Sequence, residues 1–371
     1  MDLTIVNHEY SKEYVIDNYK SIIWNDRYNK CGDFEIYIPM SETSLDVFQN
    51  GYYVLSDISE GAMIIENMSI TSDEENISFL IVSGRSLESI LTRRIIWAQT
   101  NIAKNTYVQN AIKSLIDDAI IQPSISERTI PNFEFNMSTD PAITSLKTVN
   151  DMQFTGDNLY EAISKICGIY GIGFKVTLNL DRSVTKNGHT YNGVFEFKLY
   201  SGKDRSYNQD VLPYVVFSPE FDNLISSDYK IETQEYKNVT LIAGEGEGID
   251  RKTTSLYSDV YSGLNRRELY TDARDLSTNI DGGTLSDEEY IEVLKNRGLS
   301  KLQETQVISN FDADAAYNIT YEYNKDYFIG DIVQFENRLG LMYPVRVIES
   351  IYSESTDGIK YYPIFEILEE D

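Results

Sequence analysis

From Leu3 to about Val82 the chain alternates apolar and polar positions in short runs of β-branched and aromatic residues, separated by turn residues. That period of two predicts successive strands with one solvated face. Ser21–Trp24 runs into the turn signal Asn29-Lys30-Cys31-Gly32, and Phe34–Pro39 alternates strictly, which predicts a hairpin. Gly51–Leu55, Ala62–Thr71 and Ile77–Val82 predict three more strands, the last two joined across the acidic turn Ser72–Asn76. Beyond Leu87 the period becomes helical: Val108, Ala111, Ile112, Leu115, Ile116 and Ala119 form one stripe, closed near Pro123. A second helix starts at Asp157 or Asn158, either of which offers a side-chain acceptor to the free amides of the first turn. Its stripe is Leu159, Ala162, Ile163, Ile166, Cys167 and Tyr170, and Gly171 and Gly173 close it. Strands over Phe174–Leu180 and Val194–Tyr200 flank a polar turn at Asn187-Gly188. A third helix opens on the capping box Ser286–Glu289, with Ile291, Leu294 and Leu302 on one face and Lys295, Arg297 and Lys301 towards its end.

From Gln306 the pattern returns to strands: Gly330–Val333, a turn at Arg338–Gly340, Val345–Tyr352, a turn at Ser355–Gly358, and Lys360–Leu368. The first block has the same layout of strand, turn, long strand, polar turn and strand. Duplication of one β module and two unrelated meanders both fit this pattern. The resulting division is 1–95, a β domain; 96–210, an α+β domain; 211–305, a second α+β domain ending in a helix; and 306–371, a second β domain.

Charge narrows the choice of partners. The chain of 371 residues carries 59 Asp and Glu against 32 Lys and Arg, for a net charge of -27, and such a field repels phosphate. Tight nucleic-acid binding is thereby excluded, while both a surface past which DNA slides and plain solubility remain open. Cys31 and Cys167 stand alone, with no metal-binding spacing, and read as free thiols of a reducing compartment. No export signal and no run of apolar residues long enough to span a membrane is present. The sequons at Asn67, Asn76, Asn136, Asn238 and Asn318 carry no meaning without secretion.

Catalytic chemistry is not legible. His8 and His189, the two histidines, lack any framing nucleophile motif and read as surface residues. Gly244–Gly248 follows an apolar strand, but Glu245 and Glu247 would repel a phosphate and no Lys-Ser/Thr follows, so a tight glycine turn is the reading. Asp312, Asp314 and Asn318 lack the remaining oxygen ligands and spaced Glu of a calcium loop. The expectation is therefore no cofactor, no metal and no enzyme. The 28 tyrosines, with Trp24 and Trp97, fit strand positions and protein interfaces, and keep open a carbohydrate-binding module; a glycoside hydrolase rests only on abundant carboxylates.

Several segments taken together resemble the tail-hub family of siphophages, which includes Gp37-like tail proteins and the N-terminal domains of tail-associated lysins. They are Trp24–Arg27 leading to Gly32-Asp33-Phe34 and on to Pro39, and Val82–Leu87 with Gly84, Arg85, Ile90, Leu91 and Arg94. Asn238-Val239 leading to Gly244, Gly246 and Gly248 with Arg251, and Gly330-Asp331-Ile332-Val333, complete the set. Trp24, Gly32, Phe34, Gly84, Arg85, Gly244, Gly246, Gly248, Arg251, Gly330 and Asp331 are the fold-marking positions. The resemblance implies a mainly β fold like a phage baseplate hub, with two tube-like β-barrel domains and two smaller α+β domains, assembled as a homotrimer in the virion tail tip. It implies a ring joining the six-fold tail tube or distal tail protein to a three-fold tip or fibre, in contact with the tape-measure protein, with DNA passing through an acidic lumen without being bound. Assembly is expected in the host cytoplasm. Family members that hydrolyse cell wall do so through C-terminal extensions, whereas this sequence stops at Leu368–Asp371, so activity is not carried over.

Overall fold

The computed structural model describes all residues except 73–77, 150, 187, 281–282, 306–307, 316–319, 338–339, 341 and 369–371. The centre of the predicted turns Ser72–Asn76 and Asn187-Gly188, part of Arg338–Gly340, the sequons Asn76 and Asn318, and the final acids therefore lie outside the described residues.

The strand periodicity at the two ends of the chain produces one sheet. Its first half comprises β1 (Leu3–Val6), β2 (Lys12–Ile16), β3 (Ser21–Arg27), β4 (Asp33–Pro39), helix α1 (Glu42–Val47), β5 (Tyr53–Ser56), β6 (Ala62–Ser72) and β7 (Ser78–Ser86). Helix α1 escaped the sequence reading because it is short and capped by Ser41 with Ser44 at the third helical position, a pattern hidden among polar residues.

An α+β unit follows: β8 (Thr100–Ile102), α2 (Val108–Ile116), β9 (Phe133–Asn136), α3 (Pro141–Thr144), β10 (Met152–Phe154), α4 (Leu159–Ile169), β11 (Gly173–Asn179), β12 (Val184–Lys186), β13 (His189–Tyr191) and β14 (Val194–Tyr200). The α2 stripe is buried as its spacing requires, and its end widens into a π turn over Asp117–Ile121. Asn158 caps α4 by accepting from Tyr160 and Glu161 N–H, and Cys167 lies in the core. Burial pushes the Cys31 thiol up to about 12, consistent with an unreactive packing residue.

The chain then adds β15 (Val216–Phe217) and β16 (Leu224–Glu232), and enters a second α+β unit. That unit holds β17 (Val239–Ala243), β18 (Thr253–Leu256), β19 (Glu268–Asp272), β20 (Asn279–Ile280), β21 (Gly283–Thr284) and α5 (Asp287–Gln303). Ser286 and Glu289 make the reciprocal capping box read from the sequence. The buried stripe of α5 is Tyr290, Leu294, Gly298 and Leu302, which corrects the expected place of Ile291. Tyr290 takes that place because its hydroxyl donates to Leu276 O and accepts from Glu245 N–H, so its one polar group is satisfied as donor and acceptor inside the core.

Finally β22 (Ile308–Ala315), β23 (Ile332–Glu336), β24 (Met342–Ser355) and β25 (Gly358–Ile367) complete the sheet. Among the described residues thirteen strands join, in the order β16-β22-β25-β24-β3-β4-β7-β6-β5-β1-β2, with β23 on β24 and β15 on β23. The fold is thus mainly β with α+β insertions. Separate apolar cores centre on Trp24 and Phe34, on Val333 and Phe365, on the α2–α4 unit, and on Tyr290 and Leu294.

Glu88 ties the first half of the sheet to the first α+β unit, its carboxyl accepting from Val176 N–H at 2.6 Å. Burial raises its pKa above the ordinary carboxylate value. A group raised in the fold contributes its full stability below the unfolded pKa and loses it as pH rises through the folded one. Glu88→Gln keeps the acceptor for Val176, so calorimetry should show the variant melting above the parent at pH 8 and level with it at pH 4.

Candidate assembly surface

The two halves of the sheet repeat one another strand for strand. The run β3-β4-β7-β6-β5 and the run β16-β22-β25-β24-β23 have the same spatial order, the same chain order and antiparallel pairing throughout. The match extends to irregularities. Between β6 and β7 the register slips after Ile65, leaving Glu66 as the bulge; between β24 and β25 it slips after Val347, leaving Ile348. Gly51 N–H donates to Ile65 O and Ile65 N–H to Tyr52 O; Gly330 N–H donates to Val347 O and Val347 N–H to Asp331 O. Both glycines are left-handed, with φ of 83° and 90°. Such agreement in a bulge and its flanking turn favours duplication over two unrelated meanders.

The halves meet where β24 pairs with β3, from Glu349 opposite Arg27 to Ser355 opposite Ser21. Trp24 stands between Phe34 on β4 and Tyr352 on β24, and both Trp24 and Tyr352 are buried. Arg27 bridges to Glu349 at 2.8 Å and to Asp33. At the far end the N-terminal ammonium meets Glu354 at 3.1 Å, and Tyr19 and Tyr352 also donate to that carboxylate.

Trp24 marks this junction, and the other fold-marking positions fall into three groups. Gly32, Phe34, Gly84 and Arg85 gather beside the first bulge: a Cβ on Gly84 would stand 1.8 Å from Ile64 O, and one on Gly32 2.2 Å from Asn25 O. Arg85 grips the bulge residue Glu66 through two bonds of 2.7 and 2.8 Å, and this pairing holds the Glu66 carboxyl below its usual range. Gly330 and Asp331 form the matching turn of the second half. Asp331 makes a buried ion pair with Arg205 at 2.8 Å and accepts from Lys203 and Phe328 N–H. Gly244, Gly246, Gly248 and Arg251 lie apart from these, in the second α+β unit. Arg251 donates to Ala243 O and Gly244 O and pairs with Asp272, while Glu245 is turned inward to Thr278, so the glycine loop is a tied turn. Arg205 was not among the positions read from sequence, since a residue 126 positions from its partner leaves no local trace.

A family model described as Siphovirus ReqiPepy6 Gp37-like protein matches residues 2–365. The chain belongs to this family. A search of curated protein sequences finds no relative at significance. Among solved structures, the tail protein from Neisseria meningitidis MC58 superposes with a TM-score of 0.54 at 13% identity, over 98% of this chain and 96% of that one. The 43 kDa tail protein of prophage MuSo2 from Shewanella oneidensis gives 0.52 at 10% identity, over 98% and 97%. The Gp37-like chain therefore has the fold of phage tail proteins.

Its other surfaces offer little chemistry. His8 and His189 are exposed, and Asp312 and Asp314 sit in strand β22. Among the described residues no cluster of His, Cys, Asp or Glu has metal-ligand geometry, and no helix is long and apolar enough to cross a membrane. A cleft of about 850 Å³ between α4 and α5 is lined by ion-paired side chains, including Lys165 with Glu304 and Lys301 with Glu304. Trp24 is enclosed and cannot stack on a sugar; Trp97 is exposed with the Arg128 guanidinium over its ring.

Proposed function

We propose that this chain is the tail-hub subunit of a phage, acting as a homotrimeric ring at the tail tip. Three copies, each bringing two like β units, present six similar units around one axis. Such a ring meets a six-fold tail tube or distal tail protein on one side and a three-fold tip or fibre on the other, with the tape-measure protein at its axis. The observation that carries this reading is the shared strand order and bulge of the two halves. The net charge of -27 suits a lumen through which DNA slides, because phosphates find few cations to displace their counterions. The role is structural, without cofactor or turnover. The units are divided as two tube-like β domains and two α+β domains, the fold-marking glycines serving the turns that shape them.

Sedimentation equilibrium tests the reading. The purified chain, alone or with its distal ring partner, should sediment with three copies per particle. Persistence as a monomer in both samples would remove the ring.

A further inference from the structure

The junction between β24 and β3 has a counterpart that one chain leaves unmade. Under the correspondence of the halves, β6 matches β24 and β16 matches β3. Residues Glu349–Ser355 of β24, beyond the bulge, use their second edge to pair with β3. Their equivalents, Asn67–Ser72 of β6, pair with β7 on one edge, and among the described residues no strand occupies the other. Strand β16 pairs with β22 and ends the sheet on its other side. Both are open ladders of N–H and C=O groups that solvent or another strand must satisfy.

Side-chain burial points the same way. Met68 and Ile70 are 38% and 54% exposed, whereas the residues at the matching positions of β24, Ser350 and Tyr352, are both 3% exposed against β3. Two apolar side chains on one face of an open strand are thus uncovered where the internal copy is covered.

We infer that the Asn67–Ser72 edge of β6 pairs antiparallel with β16 of a second copy of this chain, reproducing between subunits the β24–β3 junction. The inference rests on the ring reading and names its interface. Transferring the internal register places Ser69 opposite Lys230 of the neighbouring copy and Ile70 opposite its Tyr229, as Ile351 stands opposite Asn25 and Tyr352 opposite Trp24. Three internal and three intermolecular junctions then alternate around a closed ring, leaving neither edge free. Repetition of one junction explains why the Asn67–Ser72 edge carries no Pro or Lys to block pairing.

The test is a Ser69→Cys/Lys230→Cys double variant of the full chain, oxidised in assembled tail particles and, in parallel, at high concentration in solution. Directly opposed Cα atoms in an antiparallel ladder lie about 4.5–5.5 Å apart, within disulfide reach. Denaturing electrophoresis should show covalent dimers and trimers for the double variant and monomers for each single variant. A Ser69→Cys/Asp228→Cys variant, two positions out of register, should crosslink at least ten-fold less. Three-copy particles lacking the 69–230 crosslink would overturn this pairing and leave the ring standing. Monomers in both settings would overturn both, and an adduct between position 69 and another tail protein would assign the edge to that partner.

Discussion

Gly330→Ala is expected to destabilise the second half of the sheet by about 3 kcal/mol or more, the sum of a strained backbone and an overpacked core. Gly330 has φ of 90°, which an L side chain rarely adopts, and an added Cβ would stand 2.2 Å from Cε2 of Tyr28. Tyr28 cannot retreat: its hydroxyl donates to Gly171 O at 2.9 Å, its ring meets Tyr200 edge-on at 5.4 Å, and it is 1% exposed. The carbonyl of Gly330 is hemmed in too, since Gly202 approaches so closely that a Cβ there would lie 1.7 Å from it. Gly51→Ala is the internal control. It occupies the equivalent turn with φ of 83°, but its added Cβ would meet only the far end of the exposed His8 ring. That variant should lose about 1 kcal/mol, the backbone term alone. Urea unfolding of the two variants beside the parent separates backbone strain from packing.

Arg205→Ala should cost about 3–5 kcal/mol, because it leaves the Asp331 carboxylate buried without its counter-charge. The pair is 2.8 Å apart with side-chain exposures of 11% and 3%, so solvent screens it little. Asp331→Ala should cost a similar amount, since the carboxylate also satisfies the N–H groups of Lys203 and Phe328. The double variant should lose distinctly less than the two single losses added together, because neither charge is then stranded. A double-mutant cycle by urea unfolding reads this coupling, and simple additivity would refute the pairing as the source of the loss. The pair fastens the end of the first α+β unit to the Gly330 turn, so its loss loosens the second half of the sheet against that unit.

What the sequence disclosed and what it withheld follow from range. Alternation at Phe34–Pro39, the Asn158 and Ser286 caps and the stripe around Cys167 are local signals, and the structure places them as read. The pattern favours Ile291 over Tyr290 because the face of a helix with few apolar residues is ambiguous to within one position. The duplication was legible only in its last three strands. Its first two, β16 and β22, are split by the second α+β unit, which hides their likeness to the adjacent pair β3 and β4. The Arg27–Glu349 bridge and the β24–β3 ladder join residues hundreds of positions apart, and no periodicity reports such pairing. Asp331 carries the resemblance, whereas its partner Arg205 has no local signal and meets it only through the fold.

A three-dimensional reconstruction of the intact tail tip addresses the hub assignment directly. It should reveal three copies of this chain about the tail axis, their paired β halves alternating as six similar lobes around an open or plugged lumen lined with acidic residues. Density showing the chain off the axis, or in a number other than three, would contradict the assignment.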